Sequence, residues 1–207
     1  MRKHLIRNIE LISTIQRRFS LFVLVVFFVG CVSAFSQVDE QGALNPIHLG
    51  DPGAQFRIEV FVDYQCPACA TYYTRLKSVE AKYPEKVDIV YRQYPLQMHD
   101  KAMIAAKAVE SANVQGKALE MIDLMFANQS TWTGDPKVKM FLGYARKLDL
   151  ERFKRDFDSP ETLSRIESDI SRAKFLRLNA TPSVLVNDKP LTYAEALDIE
   201  KIISDGN

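Results

Sequence analysis

Apolar residues fall into short runs and helical spacings that predict the first half of a mixed fold. The runs at 58–64 (IEVFVDY) and 87–94 (VDIVYRQY) are typical of buried strands. Between them, apolar residues recur at spacings of four, three and four, which predicts one helix that ends near Pro84. A strand, a crossover helix and a second strand of these lengths predict a parallel βαβ unit.

Helical spacing then dominates a long stretch, residues 97–178. Its apolar positions predict helices, and Ser159-Pro160-Glu161 has the composition of a helix start. The methionines in this stretch either line a peptide-binding surface or belong to the core. The predicted helices span 102–114, 118–126 and 138–148, and the methionines are Met98, Met103, Met121, Met125 and Met140.

The C-terminal part has the pattern of two short strands and a helix. An apolar strand at 182–186 is followed by a turn at 187–189 and a partner strand that starts at Pro190. Thr192 and Glu195 have the spacing of a capping box, which begins an amphipathic helix. The order β, α, β, helical block, β, β, α predicts an α/β fold with a small central sheet and an inserted helical domain.

An uncharged N-terminal segment, from Phe19 to Val38, changes the expected compartment. It follows a basic region, and we consider a cleaved secretory signal, an uncleaved membrane anchor and a lipoprotein signal with its lipid on Cys31. Each exports the rest of the chain to a compartment that permits disulfides. We therefore divide the chain into a signal peptide or N-terminal membrane anchor (1–36), a tether with a lead-in turn (37–57) and a domain (58–207) with its helical insertion at about 97–178.

The net charge and the number of cysteines exclude several classes of function. The chain has 207 residues, 47% of them hydrophobic, and a formal net charge of +1, which is typical of a globular protein and gives no electrostatic case for binding nucleic acid. Its cysteines are Cys31, Cys66 and Cys69. Three cysteines exclude a disulfide-rich scaffold and a four-cysteine metal site within one chain.

The motif Cys66-Pro67-Ala68-Cys69 carries the most specific chemistry. Haem attachment requires a histidine after the second cysteine, but residue 70 is alanine. His48 and His99 do not have ligand spacing for zinc, and a structural disulfide within one helical turn closes too short a loop to stabilise much. Redox exchange is the use that remains, with no metal.

The position of this motif, between a strand and a helix, assigns different roles to its two cysteines. Pro67 fits the first helical position, which puts Cys66 at the N-cap with its sulfur toward unpaired main-chain N–H groups. That field favours the thiolate and lowers the pKa of Cys66. We predict that Cys66 is the nucleophile that forms mixed disulfides and that Cys69, one turn inside, resolves them.

Two further positions are candidate functional residues. Thr181-Pro182 is either an ordinary strand start or a cis-proline that leaves the main chain of residue 181 open to pair with an incoming extended peptide. Asp63, three residues before Cys66, is either a surface acid at a strand end or a partly buried acid that relays protons when Cys69 attacks.

Several segments together resemble the DsbA-like branch of the thioredoxin superfamily. They are 49–54 (LGDPGA), 61–69 (FVDYQCPAC), 91–96 (YRQYPL), 145–148 (ARKL) and 180–187 (ATPSVLVN). The resemblance implies a thioredoxin fold (βαβ…ββα) with an inserted helical domain, and Pro182 as the cis-proline. It also implies thiol–disulfide exchange in the periplasm or another extracytoplasmic space, with the Cys66–Cys69 disulfide and no other cofactor.

The implied partners are unfolded or cysteine-containing exported proteins and a membrane quinone-linked protein that re-oxidises the pair. We expect a monomer. The chain departs from the family pattern at Ala180, Asp188 and Ala68, where other members often have Gly, Gly, and His or Tyr. Ala68 brings neither charge nor hydrogen bond to the thiolate, so we expect a milder oxidant.

The leading hypothesis is therefore a protein thiol–disulfide oxidoreductase that forms disulfides in exported proteins. A reductase or isomerase of the same fold is one alternative. A non-catalytic binding module is another, although the intact Cys66/Cys69 pair argues against it. A glutathione-dependent enzyme that acts on small molecules commonly lacks the second cysteine and an export signal.

Overall fold

The computed structural model describes residues 46–134 and 143–206. The predicted signal or anchor at 1–36, with Cys31, therefore lies outside the described residues, as do most of the tether and positions 138–142 of a predicted helix. In the described ranges, no helix combines the length and the apolar composition that a membrane crossing requires.

A mixed sheet of five strands holds the described residues together. Strands β2 and β3 are parallel, and helix α1 (Pro67–Lys82) connects them as predicted. β1 runs antiparallel to β3, β4 to β2, and β5 to β4, which gives the spatial order β1-β3-β2-β4-β5. The strands are β1 (Ile47–Gly50), β2 (Phe56–Val62), β3 (Val87–Gln93), β4 (Ser183–Val186) and β5 (Lys189–Pro190).

The predicted helical insertion lies between β3 and β4. Its described helices are α2 (Ala102–Asn113), α3 (Ala118–Ala127), α4 (Gln129–Gly134), α5 (Leu150–Phe157) and α6 (Pro160–Phe175), with a 3₁₀ turn at Ala145–Lys147. Two short helices, α7 (Tyr193–Leu197) and α8 (Ile199–Asp205), follow β5.

Local capping explains where several helices begin. Ser159 accepts a hydrogen bond from the Thr162 N–H at 3.1 Å, with Pro160 at the first helical position of α6. Thr192 and Glu195 form the predicted capping box of α7. The sequence predicts where these helices begin, because each helix start depends on residues that are close together in the chain.

Both faces of β2 are buried, which accounts for its nearly continuous apolar run. Ile58 and Val60 belong to the main core, which also contains Leu76 of α1. Phe61 points to a smaller cluster on the opposite face, with Leu185 of β4. The sheet therefore carries α1 on one side and part of the insertion on the other, and the C-terminal end of β2 leads into the cysteine motif.

Two expectations about local structure were wrong. The segment 37–57 contains β1 as well as a turn, because four residues without a strong pattern gain stability by pairing with β3, from Ile47 opposite Tyr91 to Gly50 opposite Asp88. The C-terminal helix is broken at Asp198, whose backbone (φ −99°, ψ 25°) leaves helical geometry between α7 and α8.

Candidate active site

The cysteine motif sits where β2 turns into α1. β2 ends at Val62, and the Cys66 N–H then donates to the Asp63 carbonyl at 3.0 Å, closing a tight turn. Cys66 is the N-cap residue with extended backbone angles (φ −73°, ψ 120°), and Pro67 occupies the first turn. The predicted placement of the motif at a helix N-terminus is confirmed.

The two thiols are free, and both are buried. Cys66 is 9% exposed and Cys69 is 1% exposed. The Cys69 thiol donates to the Cys66 sulfur and, against the cost of burial, lowers the pKa of Cys66 to about 5, helped by the Thr181 side chain and the N–H groups of Cys69 and Ala68. Burial, reinforced by the neighbouring Cys66 sulfur, raises the pKa of Cys69. Cys66 is therefore the acidic thiol of the pair.

The peptide bond between Thr181 and Pro182 is cis, as one of the two interpretations predicted. The Cys66 thiol donates to the Thr181 carbonyl oxygen at a sulfur–oxygen distance of 3.4 Å. The Thr181 hydroxyl is buried and has no hydrogen-bond partner among the described residues. This hydroxyl is thus free to donate to a thiolate once the Cys66 proton has left.

Asp63 is buried, so the interpretation as a surface acid is wrong. Its Oδ1 accepts from the Gln65 N–H at 2.8 Å, and its Oδ2 accepts from the Leu96 N–H at 2.9 Å and from His99 Nδ1 at 2.7 Å. The main-chain N–H of Asp63 reaches the Cys69 sulfur. Asp63 therefore joins the loop after β3 to the turn that carries both cysteines.

Residues of the insertion also bind this turn, and the sequence analysis did not predict these contacts. Gln129 Nε2 donates to the carbonyls of Tyr64 and Cys66 at 2.8 and 2.9 Å. Gln65 Oε1 accepts from the Lys101 N–H at 2.7 Å. These partners lie 36 to 65 residues away in the chain, so no local pattern points to them.

The residues next to the cysteines differ in their exposure to solvent. Pro67 and Ala68 are exposed, whereas Thr181 is buried.

Among the methionines considered above, Met121 and Met125 belong to the core, whereas Met98, in the loop after β3, is 81% exposed. In the described ranges, no group of three or more His, Cys, Asp or Glu residues is arranged to hold a metal ion.

A family model described as Thioredoxin matches residues 43–205, which is most of the chain. This chain belongs to the thioredoxin family. A crystal structure of a thioredoxin-like oxidoreductase from Silicibacter pomeroyi DSS-3 is 27% identical, with a TM-score of 0.64 over 79% of this chain and 94% of that one. Pseudomonas aeruginosa DsbA2 is 29% identical, with a TM-score of 0.59 over 76% of this chain and 94% of that one.

More distant structures share the fold. The thiol-disulfide exchange protein alpha-DsbA2 from Wolbachia pipientis has a TM-score of 0.67 at 16% identity, over 84% of this chain and 98% of that one. The predicted α/β thioredoxin fold with an inserted helical domain is confirmed, as is the resemblance to DsbA-like thiol–disulfide oxidoreductases.

One curated relative is much longer than this chain. The Na(+)/H(+) antiporter NhaA 1 of Mycobacterium sp. (strain KMS) is 32% identical over 145 residues, which is 68% of this chain. The chain spans only 23% of that antiporter's length. The match therefore covers only a part of that larger protein.

Proposed function

We propose that this protein forms disulfide bonds in exported proteins. A thiolate of the unfolded client attacks the Cys66 sulfur of the Cys66–Cys69 disulfide. The internal bond breaks, a mixed disulfide with Cys66 forms, and the Cys69 sulfur takes up the electron pair and then a proton. A second client thiolate attacks the client sulfur of the mixed disulfide, which completes the client disulfide and releases the Cys66 thiolate. Two electrons then reside on the reduced cysteine pair.

The asymmetry of the two thiols is the observation that carries this proposal. With a pKa of about 5, Cys66 is a thiolate at neutral pH and a good leaving group. Because the Cys66 sulfur leaves readily, transfer of the disulfide to the client is favoured over the reverse reaction, in which the client disulfide would re-oxidise the cysteine pair. Cys69 is buried and its pKa is raised, so it reacts only after Cys66 has engaged a partner.

The cis-proline loop supports a role in binding the client. Residue 181 lies beside the Cys66 sulfur and β4 begins two residues later, at Ser183. We propose that the main chain of Thr181, fixed by Pro182, pairs with an extended client segment next to its reacting cysteine. The exposed Pro67 and Ala68 leave the approach to Cys66 open.

The remaining parts of the cycle are proposals from the family resemblance. Reduced Cys66 and Cys69 need an electron acceptor, for which we propose a membrane quinone-linked protein. A periplasmic or other extracytoplasmic location fits the predicted leader. The hypothesis that Asp63 relays a proton to or from Cys69 stays a prediction, since the contact between them runs through the main-chain N–H of Asp63.

Oxidative refolding of a reduced, unfolded protein tests the proposal, with the purified chain in its oxidised form as the only oxidant. We expect stoichiometric disulfide formation by the parent and by Cys31→Ser, which serves as the matched cysteine control. Cys66→Ser should form none, and Cys69→Ser should accumulate mixed disulfides with a thiol oxidant present. Refolding by Cys66→Ser at the parent rate would contradict the proposal, and reduction of a disulfide-bonded client without formation of new bonds would favour a reductase.

A further inference from the structure

The loop between β3 and α2 brings a histidine to the turn that carries the cysteines. The Nδ1 atom of His99 lies 2.7 Å from Oδ2 of Asp63, and the two side chains are 22% and 0% exposed. A carboxylate only accepts hydrogen bonds, so Nδ1 carries the hydrogen and donates it. The partly exposed imidazole thus binds a fully buried carboxylate.

Asp63 contacts both cysteines through its main chain. Its carbonyl accepts from the Cys66 N–H at 3.0 Å, and its N–H reaches the Cys69 sulfur. The orientation of this one residue therefore decides how well an N–H group meets the resolving sulfur. The side-chain bonds of Asp63 fix that orientation, because they tie its carboxylate to main-chain atoms of Gln65 and Leu96 and to His99.

The attack of Cys69 on a mixed disulfide needs this N–H group more than the earlier attack by Cys66 does. Cys69 attacks as a thiolate, and a buried sulfur that becomes negative must find donors inside the protein. The donors that favour the Cys66 thiolate are the Cys69 thiol, the Thr181 side chain and main-chain N–H groups of α1, a set that does not include His99 or Asp63. The two cysteines thus depend on different parts of the site.

We propose that His99 is a positioning residue, which acts through Asp63 to speed the attack of Cys69 on a mixed disulfide at Cys66. This inference rests on the proposed function. In the proposed cycle this step occurs when the electron acceptor re-oxidises the pair: the Cys69 and Cys66 sulfurs form a bond while the bond between Cys66 and the acceptor's sulfur breaks. The acceptor's sulfur leaves with the electron pair and takes a proton from water, and the Cys69 proton passes to solvent.

A coloured leaving group separates the two steps in one experiment. Reduced protein, with Cys31 replaced by serine in the parent and in every variant, is mixed with a symmetric nitrobenzoate disulfide. Attack by Cys66 releases the first coloured thiolate, and attack by Cys69 on the mixed disulfide releases the second. For His99→Ala we expect the second phase to slow about 10-fold, while the first phase stays within about twofold of the parent. His99→Asn keeps an N–H near the position of Nδ1 and should restore the second phase to within about threefold.

A second histidine–carboxylate pair provides the matched control. His48 Nδ1 lies 2.5 Å from Asp88 Oδ1, with side chains 26% and 2% exposed, but Asp88 lies opposite Arg57 near the start of β2, at the other end of that strand from the cysteine turn. His48→Ala should change neither phase. If His99→Ala does not fold, His99→Gln replaces it, because its amide extends to the position of Nε2 and should show the same slow second phase.

Three results would overturn the inference: an unchanged second phase in His99→Ala, an equal slowing of both phases, or a second phase that stays slow in His99→Asn. Failure of the proposed function looks different. In that case the parent protein itself forms mixed disulfides with clients but transfers no disulfide to them, whatever residue stands at position 99.

Discussion

The sulfur of Cys66 lies 3.4 Å from the main-chain oxygen of Thr181, although 115 residues separate them in the chain. This contact places the cis-proline loop against the tip of α1, so that the attacking sulfur and the proposed client-binding main chain adjoin. It also brings the Thr181 hydroxyl, which has no hydrogen-bond partner among the described residues, near the Cys66 sulfur, where it helps to lower the pKa of Cys66.

Replacing Thr181 by valine keeps the shape of this side chain and removes its hydroxyl. We expect the pKa of Cys66 to rise, because a donor to the thiolate is lost. The pH at which alkylation by iodoacetamide reaches half its maximal rate should therefore move upward. Thr181→Ser retains the hydroxyl and should keep the parent profile; equal profiles for parent and valine variant would show that the hydroxyl does not act on the sulfur.

The low pKa of Cys66 makes the stability of the reduced protein depend on pH. The folded value, about 5, is below the ordinary thiol value of 9.0, so the stabilisation of the reduced fold by the thiolate is complete above pH 9, declines as pH falls from 9 to 5, and is absent below 5. At pH 7 the gain amounts to about 2 kcal/mol, after allowance for partial screening of the sulfur by solvent.

Urea unfolding at pH 4 and pH 7 measures this difference. The free energy of unfolding of the reduced form, minus that of the oxidised form, should increase by about 2 kcal/mol between the two pH values. Cys66→Ala cannot form the disulfide, so its own free energy of unfolding is measured at the two pH values, and it should change between them as that of the oxidised parent does. A difference that does not change with pH would mean that Cys66 is not an acidic thiol.

Buried charges between the sheet and the insertion should affect stability but not thiol chemistry. Glu59 of β2 is 1% exposed, and its carboxylate binds Arg92 of β3 at 2.7 Å and Arg172 of α6 at 2.5 Å. The arginine hydrogen bonds and charges outweigh burial and lower the pKa of Glu59, so we treat it as a carboxylate. Together these contacts join β2, β3 and α6 on the face away from α1.

Glu59→Ala leaves two partly buried guanidinium groups without this partner, and we expect it to reduce the free energy of unfolding by about 3–5 kcal/mol. Denaturant unfolding measures the loss, and the alkylation profile of Cys66 should stay that of the parent. Glu200→Ala removes an exposed carboxylate that binds Lys82, and should have little effect. A changed Cys66 profile in Glu59→Ala would show that the network reaches the active site.

Local features of the sequence predicted much of the fold and the centre of the site. The Cys66-Pro67 helix start, the capping box at Thr192 and the parallel β2–α1–β3 unit depend on nearby residues, and all were confirmed. The sequence did not predict β1, because the stability of this strand comes from pairing with β3, about 40 residues away.

The residues around the cysteines were likewise hard to predict, because their positions depend on contacts between distant parts of the chain. That Asp63 is close to Cys66 follows from their spacing, but its burial and its bond to His99 depend on how the loop after β3 folds back over the turn. Gln129 is one polar residue at the start of a short helix, and only the tertiary structure turns its amide toward the carbonyls of Tyr64 and Cys66.

The most direct test of the central claim is a spectroscopic titration of the reduced protein, following the ultraviolet absorbance of the thiolate as pH is raised. With Cys31 replaced by serine, the account predicts one thiol transition with a midpoint near pH 5, which disappears when Cys66 is also replaced by serine. A midpoint near the ordinary thiol value of 9.0, or a transition near 5 that persists without Cys66, would contradict it.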